Sequence, residues 1–297
     1  MTYRIKFKRP LAKERRRIAL EQIDEALTEL ERGPLDVGEY IHQLRVKMKK
    51  LRALVRLYRF ENEKWYRSEN NWFRTFAQEF AGPRDADVAV HTCEAILNRC
   101  QESKTAFEFQ PIMSLLERAR DREFESDSSA TDLERIRELL SQSRTRVLEW
   151  PVKKLKADIV VNSFARTYSR GWKAQQHCEI TPHPEAWHEW RKRVKYQRYQ
   201  WELLQGLWPK MTNLIRHELH RLSDLLGEVH DLTEFVNTLE RLDIEDARAK
   251  QKLIALARRR TEHVRGSALP LGQKLFAERE NCVKARVGAW VAIACNR

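Results

Sequence analysis

Hydrophobic residues recur at helical spacing over most of this chain, as expected of helices that each bury one face. The clearest case follows residue 41, where Leu44, Met48, Leu51 and Val55 share one side of a helix. In the first half, helices are predicted at 8–31, 35–60, 65–81, 84–103, 109–122 and 131–149. In the second half they are predicted at 151–176, 184–206, 209–227, 230–241, 244–264 and 271–292. We therefore predict an all-α protein.

The scarcity of helix breakers supports this prediction. Glycine and proline number only 9 each among 297 residues, well below the averages of about 7% and 5%. Prolines such as Pro184, Pro209 and Pro270 are predicted to lie at helix starts or junctions, where a missing backbone N–H costs little.

An internal repeat relates the two halves of the chain. The segment IHQLRVKMKKLR at 41–52 aligns without a gap with WHEWRKRVKYQR at 187–198. Four pairs of basic residues stand 146 positions apart, namely His42 with His188, Arg45 with Arg191, Lys49 with Lys195, and Arg52 with Arg198. Asp85 and Asp231 keep the same offset. We therefore predict a duplication with halves at 1–150 and 151–297.

The formal net charge of +13 favours an anionic partner such as nucleic acid, acidic lipid or polyphosphate, but does not choose among them. The arrangement of the charges is more informative. A first basic stripe occupies an arc of about 80° beside the hydrophobic face of its helix. It consists of His42, Arg45, Lys49, Arg52 and Arg56. No acidic residue lies between 42 and 56, whereas a solvated helix face usually mixes charges. The stripe therefore indicates a multivalent anion.

A second basic stripe repeats the pattern with His188, Arg191, Lys195 and Arg198. Glu202 stands at its fifth position. The hydrophobic face of the same helix is predicted to include Trp190, Val194, Trp201, Leu204 and Trp208. Because these tryptophans belong to a packing face, they argue against base stacking on single-stranded nucleic acid.

Other candidates have less support. Six residues elsewhere are predicted to add contacts to the anion, namely Arg84, Arg166, Arg170, Lys173, Arg216 and His220. His230 and Asp231 resemble the His-Asp pair of metal phosphohydrolases, but no ordered set of further metal ligands surrounds them. The chain has no Walker loop and no GxGxxG motif. We therefore expect no catalytic residue, no metal and no cofactor.

The cellular setting can be predicted from the cysteines and the hydrophobic runs. Five cysteines without a CxxC pair are typical of a reduced protein. The opening residues contain no apolar signal core, and no run approaches the ~20 apolar residues of a membrane span. We expect a cytoplasmic protein that does not enter a membrane.

The motifs resemble the CHAD domain, the conserved histidine α-helical domain. They are HxxRxxxKxxR at 42–52, HxxRxxxKxxRYxxE at 188–202, and a segment at 82–88 with Arg84, Asp85 and Asp87. The resemblance extends from about residue 8 to residue 290. It implies two helical bundles related by a pseudo-twofold axis, with a basic cleft between them. Lys49 and Lys195 stand where the family commonly has arginine.

The resemblance also implies a function, namely binding of long-chain inorganic polyphosphate without catalysis, in some members at polyphosphate granules. Lysine binds phosphate as a point charge, so Lys49 and Lys195 fit that function. Two alternatives remain open from the residues: a basic helical protein that binds nucleic acid, and a metal-dependent phosphohydrolase that uses His230 and Asp231.

Overall fold

The chain, seen as a computed structural model, is described over residues 3–80, 84–99, 108–125, 129–153 and 155–296. These ranges contain eleven α-helices and no strand. In the first half they are α1 (Leu11–Glu31), α2 (Val37–Arg56), α3 (Glu63–Glu79), α4 (Arg84–Arg99), α5 (Gln110–Glu125) and α6 (Ser129–Leu148). In the second half they are α7 (Ala157–Ile180), α8 (Pro184–Leu203), α9 (Pro209–Arg241), α10 (Ala247–Leu275) and α11 (Glu280–Asn296). The all-α prediction is confirmed.

Helix α2 is the element whose sequence pattern was clearest. Asp36 caps its start by accepting a hydrogen bond from the backbone N–H of Glu39 at 3.0 Å. Its predicted hydrophobic face is fully buried, with Leu44 at 1% exposure and Met48 and Leu51 at 0%. That face packs against α1 and α3. Burying one face fixes the rotation of α2 and places the first basic stripe at the edge of the core.

Helix α8 holds the same position in the second half. It packs against α7 and α9, and it also contacts α2. Trp190 and Val194 on its predicted hydrophobic face are fully buried. The contact between α2 and α8 brings the two basic stripes to the same region of the molecule.

The hydrophobic residues form two clusters. The larger cluster contains residues of α1, α2, α3, α6, α7, α8, α9, α10 and α11. The smaller cluster joins α4 and α5 to the C-terminal part of α9 and the first part of α10, around Phe109 and Phe235. Each cluster therefore draws residues from both sides of position 150. The duplication and its boundary stay predictions.

The predicted break between 227 and 230 is wrong, because α9 runs without interruption from Pro209 to Arg241. A glycine inside a helix costs only about 1 kcal/mol relative to alanine. The buried neighbours Leu226 and Val229 supply contacts that offset this cost. Gly227 and Asp231, predicted near a turn, therefore lie in mid-helix.

Two further local predictions are also wrong. Pro270 lies inside α10 and not at a junction, where packing by the buried Ala268 and Gly272 holds the helix together. Trp208 is 48% exposed and does not belong to the buried face of α8. The reason is that α8 ends at Leu203, so the helical phase used to place Trp208 no longer applies. None of the described helices has a segment long and apolar enough to cross a membrane.

Two glycines of α10 give a matched test of this packing. A β-carbon on Gly272 would overlap the buried ring of Trp190, whereas one on Gly266 would meet nothing within 4 Å. We expect Gly272→Ala to lower the free energy of unfolding by about 1–3 kcal/mol. Gly266→Ala should raise it by about 0.5–1 kcal/mol, since alanine loses less backbone freedom on folding. Urea unfolding measures both, and equal effects would contradict the packing of α10 on α8.

Candidate polyanion-binding cleft

Helices α2, α4, α8 and α9 enclose a cleft of about 900 Å³, here called the α2–α8 cleft. Three residues of each basic stripe line it. They are His42, Arg45 and Lys49 from α2 and Arg191, Lys195 and Arg198 from α8. The structure thus brings together residues that lie 146 positions apart in the sequence.

The cleft has a basic wall and an acidic wall. The basic wall is formed by α2 and α8, and the carboxylates lie on α4 and α9. These acidic residues are Asp87, Asp224, Glu228, Asp231 and Glu234. Asp87 and Asp231 belong to segments that the sequence singles out. The other three belong to no motif, and their position depends on how α9 packs.

Several of these carboxylates are held by basic neighbours. Glu228 accepts a hydrogen bond from Arg260 Nε at 2.6 Å and lies 3.7 Å from Arg99 Nη2. Asp224 lies 2.7 Å from His220 Nδ1. A carboxylate that is already paired repels an incoming anion less than an unpaired one. The pairing of Glu228 and Asp224 therefore reduces the repulsion between the acidic wall and an incoming anion.

Lys195 shows how strongly positive charge is concentrated in the cleft. Burial, followed by the neighbouring charges of Arg191, Lys49 and Arg198, lowers the pKa of Lys195 to about 7. The attraction of Asp231 acts in the opposite direction but is the weakest of these influences. The charged form of a lysine that lies among other cations, with little water around it, is strongly stabilised when an anion binds. The cleft is thus suited to a multivalent anion.

The C-terminal end of the first stripe lies outside this cleft. Arg52 Nε and Arg56 Nη2 donate to Asn70 Oδ1 at 3.4 and 3.2 Å. The guanidinium of Arg56 also lies over the ring of Tyr196, 4.1 Å from its centroid. Burial lowers the pKa of Arg52. Arg56 instead lines a second, smaller pocket with Arg166 and Arg170.

The two histidines matched by the repeat have different surroundings. His42 lines the cleft, whereas His188 is exposed and lines another pocket of about 530 Å³. The ring of His188 lies 5.0 Å from that of His230, centroid to centroid, and His230 lines both spaces. Partial desolvation, then the charge of His230, lowers the pKa of His188.

The six further candidates are dispersed. Arg166 and Arg170 reach the second pocket, and Lys173 is exposed on α7. Arg216 donates to Gln205 Oε1 at 3.0 Å, and His220 is engaged with Asp224. Arg84 begins α4, but its side chain lies outside the described part of the structure. Neither Lys173, Arg216 nor His220 is part of the described cleft lining.

The basic side chains of the cleft can bind phosphate groups. Among the described residues, no group of three or more His, Cys, Asp and Glu side chains could hold a metal ion. His230 and Asp231, the pair considered for a phosphohydrolase, lie within α9 and line the cleft. Guanidinium and ammonium groups bind phosphate through charge-assisted hydrogen bonds.

Comparison with known proteins identifies the class. The chain belongs to the CHAD domain family, since the model of that family matches residues 17–240. The fold is similar to the crystal structure of the CHAD domain from the plant Ricinus communis, with a TM-score of 0.64. That alignment covers 92% of this chain and 94% of the other at 16% identity, which shows the fold alone. A search of curated proteins found no match.

Proposed function

We propose that this protein binds inorganic polyphosphate in the α2–α8 cleft and catalyses no reaction on it. The observation that carries the proposal is the convergence of six basic residues, three from each stripe, on one cleft. A linear chain of phosphates carries a negative charge on every unit, so it can contact both helices at once. Arginines can hold two phosphate oxygens each, and Lys49 and Lys195 add point charges between them.

The position of the tryptophans favours polyphosphate over nucleic acid. Trp187, Trp190 and Trp201 are at most 3% exposed, and no tryptophan is part of the described cleft lining. Single-stranded nucleic acid is usually held by bases that stack on accessible aromatic rings. A ligand without bases matches a cleft lined by charges. We infer in addition that the protein is cytoplasmic, as its cysteine usage indicates, and that it associates with polyphosphate granules, as the resemblance implies for some members of the family.

Competition at one fixed salt concentration tests the proposal. Labelled long-chain polyphosphate should be displaced by unlabelled long chains at a lower phosphate concentration than by duplex DNA. If six cations contact phosphates, affinity should fall with a slope of about −4 on a log–log plot against salt, as it does for single-stranded nucleic acid. Fluorescence anisotropy measures both quantities.

Short chains and an activity assay serve as controls. Chains too short to reach both α2 and α8 should bind far more weakly, because the second helix adds its contacts intramolecularly. The same protein should release no phosphate from polyphosphate, with or without Mg²⁺ or Mn²⁺. Equal competition by duplex DNA would favour a general polyanion binder, and steady phosphate release that disappears in His230→Ala would favour the phosphohydrolase.

A further inference from the structure

Five arginines converge at the C-terminal end of α2, beyond the α2–α8 cleft. They come from the end of α2 and the turn that follows it, from α7 and from α8, and are Arg56, Arg59, Arg166, Arg170 and Arg193. With Ser163 and Thr167 they line a narrow pocket of about 10 Å³ on the measure that gives 900 Å³ for the α2–α8 cleft, or about 250 Å³ when the space open to solvent at its mouth is counted. No acidic residue belongs to its described lining. We call it the arginine pocket.

Only two of the five arginines are paired with acids. Arg59 donates two hydrogen bonds of 2.8 Å to the carboxylate of Glu63, and Arg193 pairs with Glu189. Arg56, Arg166 and Arg170 form no ion pair with any described acidic residue. These three arginines therefore have no ion-pair partner among the described acidic residues, and the attraction of Glu189 for Arg170 comes from a carboxylate that already pairs with Arg193.

Two buried polar atoms of the pocket also lack a partner. Ser163 is 2% exposed, and its hydroxyl makes no hydrogen bond with the described residues. Arg56 is 7% exposed, and its Nε is likewise unpartnered. Buried polar groups in folded proteins are nearly always hydrogen-bonded, so two such atoms in one basic pocket point to a missing acceptor.

The electrostatics agree with the geometry. Burial, and then the positive charges of Arg193 and Arg56, lower the pKa of Arg170. An arginine with a lowered pKa is one whose charge is poorly solvated and repelled by its neighbours. An anion in the pocket would remove both penalties at once.

We propose that the arginine pocket binds a single phosphate group, as a site separate from the α2–α8 cleft. Arginine forks match the paired oxygens of a phosphate, and the Ser163 hydroxyl can donate to a third oxygen. The pocket is too narrow to hold the middle of a polyphosphate chain, which would have to fold back on itself there. Its occupant is therefore either free phosphate or the last phosphate of a bound polyphosphate. The second source rests on the proposed function, whereas the first does not.

The spacing along α2 allows both sources. Lys49 in the cleft and Arg56 in the pocket are separated by seven residues, about 10 Å along the helix axis. Arg52 lies between them, so a chain leaving the cleft would pass another cation on its way to the pocket. A free phosphate would need none of these contacts.

Calorimetric titration of the full chain with inorganic phosphate tests the site. We expect Arg170→Gln to weaken phosphate binding at least tenfold, since it removes a charge-assisted contact. Arg259→Gln, an exposed arginine of α10 outside both spaces, should change it less than twofold. Ser163→Ala should also weaken phosphate binding. Without ligand, however, the melting temperature of this variant should be no lower than that of the unaltered protein, because the substitution removes an unpaired hydroxyl. This second variant separates loss of a ligand contact from loss of folding.

Titration with long-chain polyphosphate distinguishes the sources. If the occupant is a chain end, Arg170→Gln weakens polyphosphate at least fivefold and saturating phosphate competes with it. If the occupant is free phosphate, polyphosphate affinity is the same in Arg170→Gln and the unaltered protein. The proposal is overturned if Arg170→Gln changes the binding of neither ligand. The proposed binding of polyphosphate in the cleft is tested separately, by the effect of Arg191→Gln on the affinity for polyphosphate.

Discussion

Replacing Arg45 and Arg191 together by alanine should weaken the binding of long-chain polyphosphate by a factor of about 100 or more. Each charge-assisted hydrogen bond to phosphate is worth about 1.5–3 kcal/mol, so two lost contacts amount to about 3 kcal/mol or more. The two arginines occupy equivalent positions in the repeat and line the same cleft from α2 and α8. Fluorescence anisotropy with labelled polyphosphate measures the affinity, and circular dichroism should show unchanged helix content.

A matched pair of surface arginines separates the cleft from general charge. Arg241 and Arg259 are exposed, lie on α9 and α10, and are not part of the cleft lining. Arg241→Ala with Arg259→Ala removes the same two charges and should weaken binding less than about threefold. Equal losses from the two double variants would mean that polyphosphate is attracted to the whole basic protein, and the cleft proposal would fail.

The single variants complete a double-mutant cycle. If one chain contacts α2 and α8 together, loss of either arginine loosens the chain at the other helix as well. The two effects should then be coupled by at least about 0.5 kcal/mol. If α2 and α8 bind separate chains, the effects should add. Coupling is therefore a direct test of whether both stripes serve one ligand.

The periodicity of the sequence predicted what depends on local structure. Leu44 and Met48 repeat at helical spacing and are buried, and the same phase placed Arg45 and Lys49 beside them. The repeat extended this argument to α8, where Arg191 and Lys195 reach the same cleft as their counterparts. A residue's direction on a helix follows from its number as long as the helix continues.

The features that depend on tertiary packing could not be predicted in this way. Asp224 and Glu228 face the cleft because α9 passes across it, which no motif announces. Arg193 lies on a different side of α8 from the second stripe. It lines the arginine pocket together with residues of α7. The continuity of α9 at Gly227 and of α10 at Pro270 reflects buried neighbours that outweigh the local cost, about 1 kcal/mol for glycine and about 3 kcal/mol for proline inside a helix. Sequence periodicity contains no information on such contacts.

The affinity for polyphosphate should also fall as the pH rises above 7, because Lys195 must be protonated to bind. In the free protein its pKa is about 7, lowered first by burial and then by Arg191, Lys49 and Arg198. A bound phosphate favours the charged form and raises this pKa towards its ordinary value near 10.4. Between these two values each binding event takes up one proton. Affinity then decreases by up to about tenfold per pH unit, or about 50-fold from pH 7 to pH 9, since half of Lys195 is already neutral at pH 7.

Two other titrating groups, His188 and the terminal phosphate of the ligand, contribute little in this range. The pKa of His188 is lowered, so this side chain is already neutral above pH 7. A terminal phosphate loses its second proton near pH 6, which leaves the ligand's charge nearly constant. The free protein should also become more stable as the pH rises from 7 towards 10, because the unfolded chain holds the Lys195 proton more tightly than the folded one.

Lys195→Arg isolates this lysine from every other group in the cleft. Arginine stays protonated at pH 9, so the variant should bind polyphosphate with nearly the same affinity at pH 7 and pH 9. The unaltered protein should lose most of its affinity over the same interval, and the two proteins should differ most at pH 9. Calorimetry in two buffers with different heats of ionisation should find close to one proton taken up at pH 8 by the unaltered protein and markedly less by the variant. If both proteins show the same pH dependence, Lys195 is not charged by the ligand, and the phosphates must bind away from the centre of the α2–α8 cleft.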